Sequence, residues 1–361
     1  MSSVINFNAG PAALPPPVLE KVQAEMIDYQ GGGMSIMEMS HRSKEYEAVN
    51  ARAEANFKRL IGVGDGYRVL LMQGGASSQF AIVPMNFLPE GGTADYLVTG
   101  TWGEKAIEEA GLLGQAHLSA STKEGGYRRV PSAGEIQPSV EPAYVHLTSN
   151  ETIQGVQFHD FPDTGGRPLV ADMSSDILSR PIDAGQFSLI YAGAQKNLGP
   201  SGVTVVLIRE SWMETAARGV PTMFRYATHA KNNSLYNTPP TFAVYVLDLV
   251  LQWIDGIGGL AGVSDRNTRK ARTLYDAIDG GGGYYKGHAE PASRSNMNVT
   301  FRLPSEALEK QFVAEAQAAG MVGLAGHRSV GGVRASIYNA IGVGACESLA
   351  SFMGDFAAKN G

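Results

Sequence analysis

Hydrophobic positions along the chain change their period several times, and each change predicts an element. Val18, Leu19, Val22 and Met26 recur at helical spacing and predict a helix that ends at the Gly31-Gly32-Gly33 run. A second helix is predicted from Ser43 to Leu60. Beyond it, short apolar runs alternate with helical stretches. Tyr67 to Met72, Asp95 to Thr99, Ala143 to Thr148, Pro168 to Met173, Ser188 to Ala192 and Val203 to Ile208 read as strands. Helices are predicted from near Ser78 and over Trp102 to Gly111. This alternation predicts an α/β protein with a mainly parallel, mixed sheet flanked by helices. The most apolar stretch, Phe242 to Ile254, contains Asp248 and has 13 residues. A bilayer takes about 20, so a buried helix is expected instead.

The pattern shifts after the glycine-rich break at Gly256 to Gly262. Helices are predicted over Asp265 to Ile278, Ser305 to Ala319 and Cys346 to Ala358, and strands over Asn298 to Arg302 and Gly332 to Ile337. These predict a smaller C-terminal α/β or α+β domain over residues 263–361. The large domain is expected over residues 16–262. The Pro-rich residues 1–15 read as an extended arm packing with the small domain.

Composition narrows the class. The chain has 361 residues, 43% of them hydrophobic and 18% charged, which is enough for a buried core and too apolar for disorder. Its net charge of −6 offers no general affinity for a phosphate backbone, so nucleic acid is not an expected partner. One cysteine, Cys346, permits neither an internal disulfide nor a Cys-x-x-Cys metal or redox motif. The N-terminus lacks a basic start followed by an apolar stretch. A cytoplasmic location is the expectation.

The 44 glycines direct attention to anion-binding turns. No Gly-Lys pair occurs, so there is no P-loop. Gly256 to Ala261 spells a dinucleotide fingerprint, but it follows a helical run, not a strand, and is read as a turn. Gly74-Gly75 has the better context, after a strand and before a helix. Such a turn offers free N–H groups and the positive end of a helix dipole, with Ser77 and Ser78 adding hydroxyls. An ordinary turn with a serine cap would look the same.

Asp172 ends an apolar strand, and Lys196 lies among small residues between two apolar strands. A half-buried lysine loses its proton readily, and a neutral amine can attack an aldehyde. An Asp and a Lys on neighbouring strand ends, an anion cup and an aromatic residue such as Trp102 are the parts of a pyridoxal phosphate site. Each taken singly also has a plain reading as a cap, a solvated charge or a core residue.

The motifs NFNAGPAALP, MEMSHRSKEY, GGASSQF, SNETIQG, ADMSSDILSRPID, YAGAQKNLGPSG, LYNTPPTFA and GHRSVGGVRASIYNA run from end to end. In them the chain resembles the class V pyridoxal-phosphate-dependent aminotransferases of the aspartate-aminotransferase-like fold type I, the phosphoserine aminotransferase family in particular. The resemblance implies that Lys196 bonds the cofactor aldehyde and shuttles the substrate proton, that Asp172 bonds the pyridine nitrogen and that Trp102 stacks on the ring. It places Gly75, Ala76, Ser77 and Gln195 at the phosphate and Thr152 near the ring hydroxyl. It brings Asn237 and Thr238 to the phosphate from a second subunit, so a homodimer is implied. Many relatives have arginine where this chain has Ser77, and serine where it has Asn8.

Two His-Arg pairs, His41-Arg42 and His327-Arg328, and the nearby Arg334 are candidate oxyanion ligands, because guanidinium pairs its donors with carboxylate or phosphate oxygens. Surface charge is the plain alternative. The implied reaction is ping-pong amino transfer between glutamate and 3-phosphohydroxypyruvate in serine biosynthesis, extended in some relatives to 4-phosphohydroxythreonine in pyridoxal phosphate biosynthesis. Arg334 would clamp the α-carboxylate, and His41, Arg42, His327 and Arg328 the distal anion. No metal is expected. Another fold type I aminotransferase for a small anionic amino acid, or a non-enzymatic phosphate-binding protein, would share many of these features. A desulfurase would need a nucleophilic cysteine, whereas Cys346 reads as structural.

Overall fold

The computed structural model describes residues 4–217 and 219–361. Among these residues fourteen strands occur: β1 (Ile5–Asn6), β2 (Tyr67–Met72), β3 (Thr93–Val98), β4 (Gln115–Ser121), β5 (Val145–Thr148), β6 (Asn150–Glu151), β7 (Val156–Gln157), β8 (Leu169–Asp172), β9 (Leu189–Gly193), β10 (Thr204–Arg209), β11 (Lys286–Gly287), β12 (Asn298–Arg302), β13 (Met321–Val322) and β14 (Val333–Ser336). Seven of them form the main sheet in the order β2-β10-β9-β8-β5-β3-β4. Neighbouring pairs from β9 to β4 are parallel, and β10 is antiparallel to both β2 and β9. Six strands therefore point the same way, and only β10 opposes them.

Strands β5, β8 and β9 are buried along their whole length, as strands covered by helices on both faces must be. Alternate residues feed two cores. Val145, Leu147, Leu169, Ala171 and Ile190 pack in one, and Val170, Leu189 and Tyr191 in the other. The predicted helix at Phe242 is the buried helix Thr241–Gly256. Among the described residues, no helix is long and apolar enough by itself to cross a membrane.

Boundaries differ from the sequence reading where glycine or an exposed edge decides. The first helix spans Pro16–Glu25 and stops before the triple glycine, and a short 3-10 turn, Tyr29–Gly31, follows it. The helix predicted from Asp265 begins at Gly259, behind Gly258 in the left-handed region. It runs across position 262, with Leu260 and Val263 in one core and Ala271 to Ile278 in a third, built around β12, β14 and the helix Val343–Asn360. Edge strand β4 was missed because its alternation is weak and much of it is exposed. Cys346 is buried in the third core.

The N-terminal arm is tied down at both ends. Its strand β1 pairs in parallel with β13. Further on, the Ala12 N–H donates to the Gln195 carbonyl at 2.9 Å, so the arm crosses beside Lys196.

Candidate active site

In parallel sheets, ligands bind where the strands end, because the turns into the next helices open there. β2 leads into Gly74-Gly75, β3 into Trp102, β5 toward Thr152, β8 ends at Asp172, and β9 leads into Lys196. One cavity of about 210 Å³ gathers them, lined by Gly74, Gly75, Ala76, Ser77, Trp102, Thr152, Asp172, Gln195 and Lys196, with Thr148, Asn150, Ser174, Ser175 and Gly193. A larger cavity of about 340 Å³ lies at the other edge of the sheet, by Asp95 and Val145, and no candidate residue lines it.

Lys196 Nζ donates to Thr152 Oγ1 at 2.7 Å and lies 5.6 Å from the centre of the Trp102 ring. Burial pushes the ammonium down to about 8, while the nearby carboxylates of Asp172 and Glu151 resist the fall. A lysine so placed supplies neutral amine at near-neutral pH, whereas a solvated one does not.

Asp172 is buried, and its Oδ1 accepts from the Ser174 N–H at 2.8 Å. Among the described residues no arginine or lysine pairs with it. Burial raises its carboxyl; the Ser174 contacts and the Lys196 charge pull it back. A buried carboxylate held without a cationic partner is suited to a cationic ring nitrogen brought by a ligand.

The cup is shaped by glycine. The helix Gly75–Phe87 starts three residues earlier than predicted, so its first N–H groups face the cavity. Gly74 sits at φ +95°, and a Cβ there would come within 2.0 Å of Ser78 Oγ. No other residue fits. Ser78 does not serve the cup, because its hydroxyl donates back to the Gly74 carbonyl at 3.0 Å and it lies outside the lining. Ser77 is exposed and lines the cavity.

Trp102 lies in the first turn of the helix Thr101–Gly111 and lines the cavity. Two neighbours escaped the sequence reading. Lys105 places its ammonium 4.8 Å from the Trp102 ring centre. Glu151, inside the quoted SNETIQG motif, is fully buried and accepts from the Trp102 and Gly103 N–H groups. An acidic residue in the buried β6–β7 hairpin was the signal that could have found it.

The predicted cations fall into two groups. Arg334 lies on β14, opposite Thr300 of β12. Its Nε is buried without a hydrogen-bond partner, and burial works against its charge. Asn298 ties that strand to the cavity wall, donating to Ser336 Oγ at 3.0 Å and accepting from Asn150 at 2.8 Å. His327 lies in the field of Arg334, Arg328 and Lys105, and burial together with those cations works against a charge on its imidazole. His41 and Arg42 do not line the cavity. Among the described residues Arg42 Nε reaches only His41 Nε2, at 3.4 Å. Asn237 and Thr238 lie behind the cup, where the Thr238 carbonyl accepts from Gln73 at 3.2 Å, and neither lines the cavity of its own chain.

A lysine kept near neutrality, an unpaired buried carboxylate and free helix amides around one space define a pyridoxal phosphate site on a transaminase fold. Residues 4–343 match the model of the family Aminotransferase class-V. The chain is 63% identical over 359 residues to the phosphoserine aminotransferase of Herpetosiphon aurantiacus, covering 99% of this chain and 100% of that one. It is 59% identical to that of Geobacillus kaustophilus, covering 99% of each. The solved phosphoserine aminotransferase from Bacillus circulans subsp. alkalophilus superposes with a TM-score of 0.98 at 58% identity, covering 100% of both chains. The pyridoxal-phosphate-bound phosphoserine aminotransferase of Trichomonas vaginalis superposes at 0.91 with 37% identity, covering 97% of this chain and 99% of that one. The chain belongs to the class V aminotransferases, within the phosphoserine aminotransferase family.

Proposed function

We propose that this pyridoxal-phosphate-dependent transaminase moves the amino group between glutamate and 3-phosphohydroxypyruvate, giving 2-oxoglutarate and phosphoserine. Pyridoxal phosphate, when bound, supplies the electron sink that stabilises negative charge at the substrate Cα. Lys196 holds the cofactor, and its Nζ takes and returns the Cα proton. Asp172 keeps the ring nitrogen protonated, and the Thr152 hydroxyl orients the Lys196 amine. Gly75, Ala76 and Ser77 hold the phosphate by backbone N–H groups, with Gln195 beside them. Trp102 covers the ring and excludes water.

Arg334 is the observation that carries the substrate reading. It is a half-buried guanidinium with an unpaired Nε, fixed by β14 and near enough to lower the Lys196 ammonium by its charge. Such a group binds a carboxylate. Arg328 adds a cationic donor for a second anion, and His327 an imidazole N–H. His41, Arg42, Asn237 and Thr238 complete the site from a second copy. Exposed Met34, Met37, Met223, Phe224 and Tyr236 near these segments support a homodimer with shared sites. The N-terminal arm, the main-sheet domain and the C-terminal domain form each protomer.

The test follows the visible absorbance of purified protein loaded with cofactor. Glutamate should convert the chromophore, and 3-phosphohydroxypyruvate should restore it. Restoration by oxaloacetate or glyoxylate but not by the phosphorylated acid would refute this substrate assignment.

A further inference from the structure

Glu151 is a buried acid to which the proposed mechanism gives no task. It sits on β6 with no exposed surface. Its Oε2 accepts from the Trp102 N–H at 3.0 Å and its Oε1 from the Gly103 N–H at 2.8 Å. These amides open the helix Thr101–Gly111, whose N-cap is Gly100 and has no side chain to satisfy them. The carboxyl thus caps that helix from another part of the chain.

The space around it is built for this contact. A Cβ on Gly100 would fall 2.5 Å from Glu151 Cδ, and one on Gly103 would fall 3.3 Å from Oε1. The indole Nε1 of Trp102 is buried without a hydrogen-bond partner. The backbone of Trp102 is therefore fastened by Glu151, while no hydrogen bond fastens its ring. Burial pushes the Glu151 carboxyl up to about 7, and the two amides pull it back. A buried acid is a costly helix cap, since the first turn could be capped by Ser, Thr or Asp at position 100.

We propose that Glu151 is a positioning residue for transamination, gripping the amides of Trp102 and Gly103 so that the indole is set against the cofactor ring. This rests on the reading of Trp102 as the ring's cover. It assigns Glu151 a main effect that passes through Trp102, beside the smaller one its charge has on the Lys196 ammonium.

The experiment uses cofactor-loaded enzyme and reads visible circular dichroism, both half-reactions and the melting temperature. Glutamine at 151 keeps the volume but turns one acceptor into a donor facing an N–H group. In Glu151→Gln the dichroism per bound cofactor should fall by about half, and both half-reactions should slow about tenfold. In a Trp102→Phe background the same change should add less than about twofold. Gly100→Ala keeps the carboxyl but pushes it aside, and should reproduce the dichroism loss. Unchanged dichroism and rates, or an equal loss in the Trp102→Phe background, would overturn the proposal. Both variants losing most of their melting transition would also overturn it, by making Glu151 a plain structural cap. If Trp102→Phe alone changes neither dichroism nor rate, the covering role of Trp102 fails. A wild type without a visible band would sink the cofactor reading instead.

Discussion

The floor of the site and its rim are built differently. Lys196, Asp172 and Thr152 stand at or just beyond the ends of buried strands, joined or closely surrounded within one chain. The residues proposed for the rim, His41, Arg42, Arg328, Asn237 and Thr238, stand on turns and loops, with few contacts in their own protomer. A group that must move a proton needs a fixed position and a shifted pKa, and burial in a sheet supplies both. A group that must recognise two alternating anions needs charge and access, which loops supply. Arg334 lies between the two kinds, a rim cation on a strand.

Substitutions can break this contrast. Lys196→Ala should have the largest effect, a loss of about a thousandfold or more in turnover with loss of the covalent chromophore, followed by absorbance and single-turnover kinetics. Asp172→Asn should come next, at about a hundredfold in both half-reactions with colour retained. Arg334→Ala should lower kcat/KM by about 10- to 100-fold for glutamate and phosphoserine alike, the cost of one charge-assisted pair. If only one substrate suffers, the shared carboxylate clamp is wrong. Arg42→Ala or Arg328→Ala should cost about tenfold for phosphoserine and less for an uncharged amino acid. Equal losses would remove them from the distal site.

The smallest effect is a pH dependence of the cofactor-free protein. Lys196 titrates near 8 when folded and near its ordinary 10.5 when unfolded. Between those values the unfolded chain binds more protons, so stability should rise with pH and level off above 10.5. Urea unfolding at several pH values measures the slope, which Lys196→Met should reduce, leaving the share of Lys270, whose ammonium burial pushes down to about 7. A slope that Lys196→Met leaves unchanged would mean that the lysine is solvated and that the floor is no more buried than the rim.

Legibility in the sequence follows the same division. Strands β2, β5, β8, β9 and β10 were readable to within about two residues, because continuous burial leaves continuous apolar runs. β4 was not, since an exposed edge strand carries a weak pattern. The helix start at Gly75 was placed three residues late because nothing in the letters reveals a left-handed Gly74. Lys196, Asp172 and Trp102 announced themselves by small-residue turns at strand ends and by whole-chain motifs. Glu151 and Lys105 stayed hidden: the partners that give them meaning, the Trp102 and Gly103 amides and the Trp102 ring, are known only in the fold.

By itself the sequence determined the alternation of strands and helices, and with it the layered sheet, because side-chain period is a local property of each segment. It also named the residue types that pyridoxal phosphate chemistry requires. Only the tertiary structure decided that β10 runs against its neighbours, so that β2 delivers its glycine turn to the same edge as Asp172 and Lys196. It alone sealed the lysine away from water, left the aspartate without a salt-bridge partner among the described residues and set Glu151 beneath the helix of Trp102. Strand direction, desolvation and the pairing of distant charges are set by contacts between segments far apart in the chain, and no single segment encodes them.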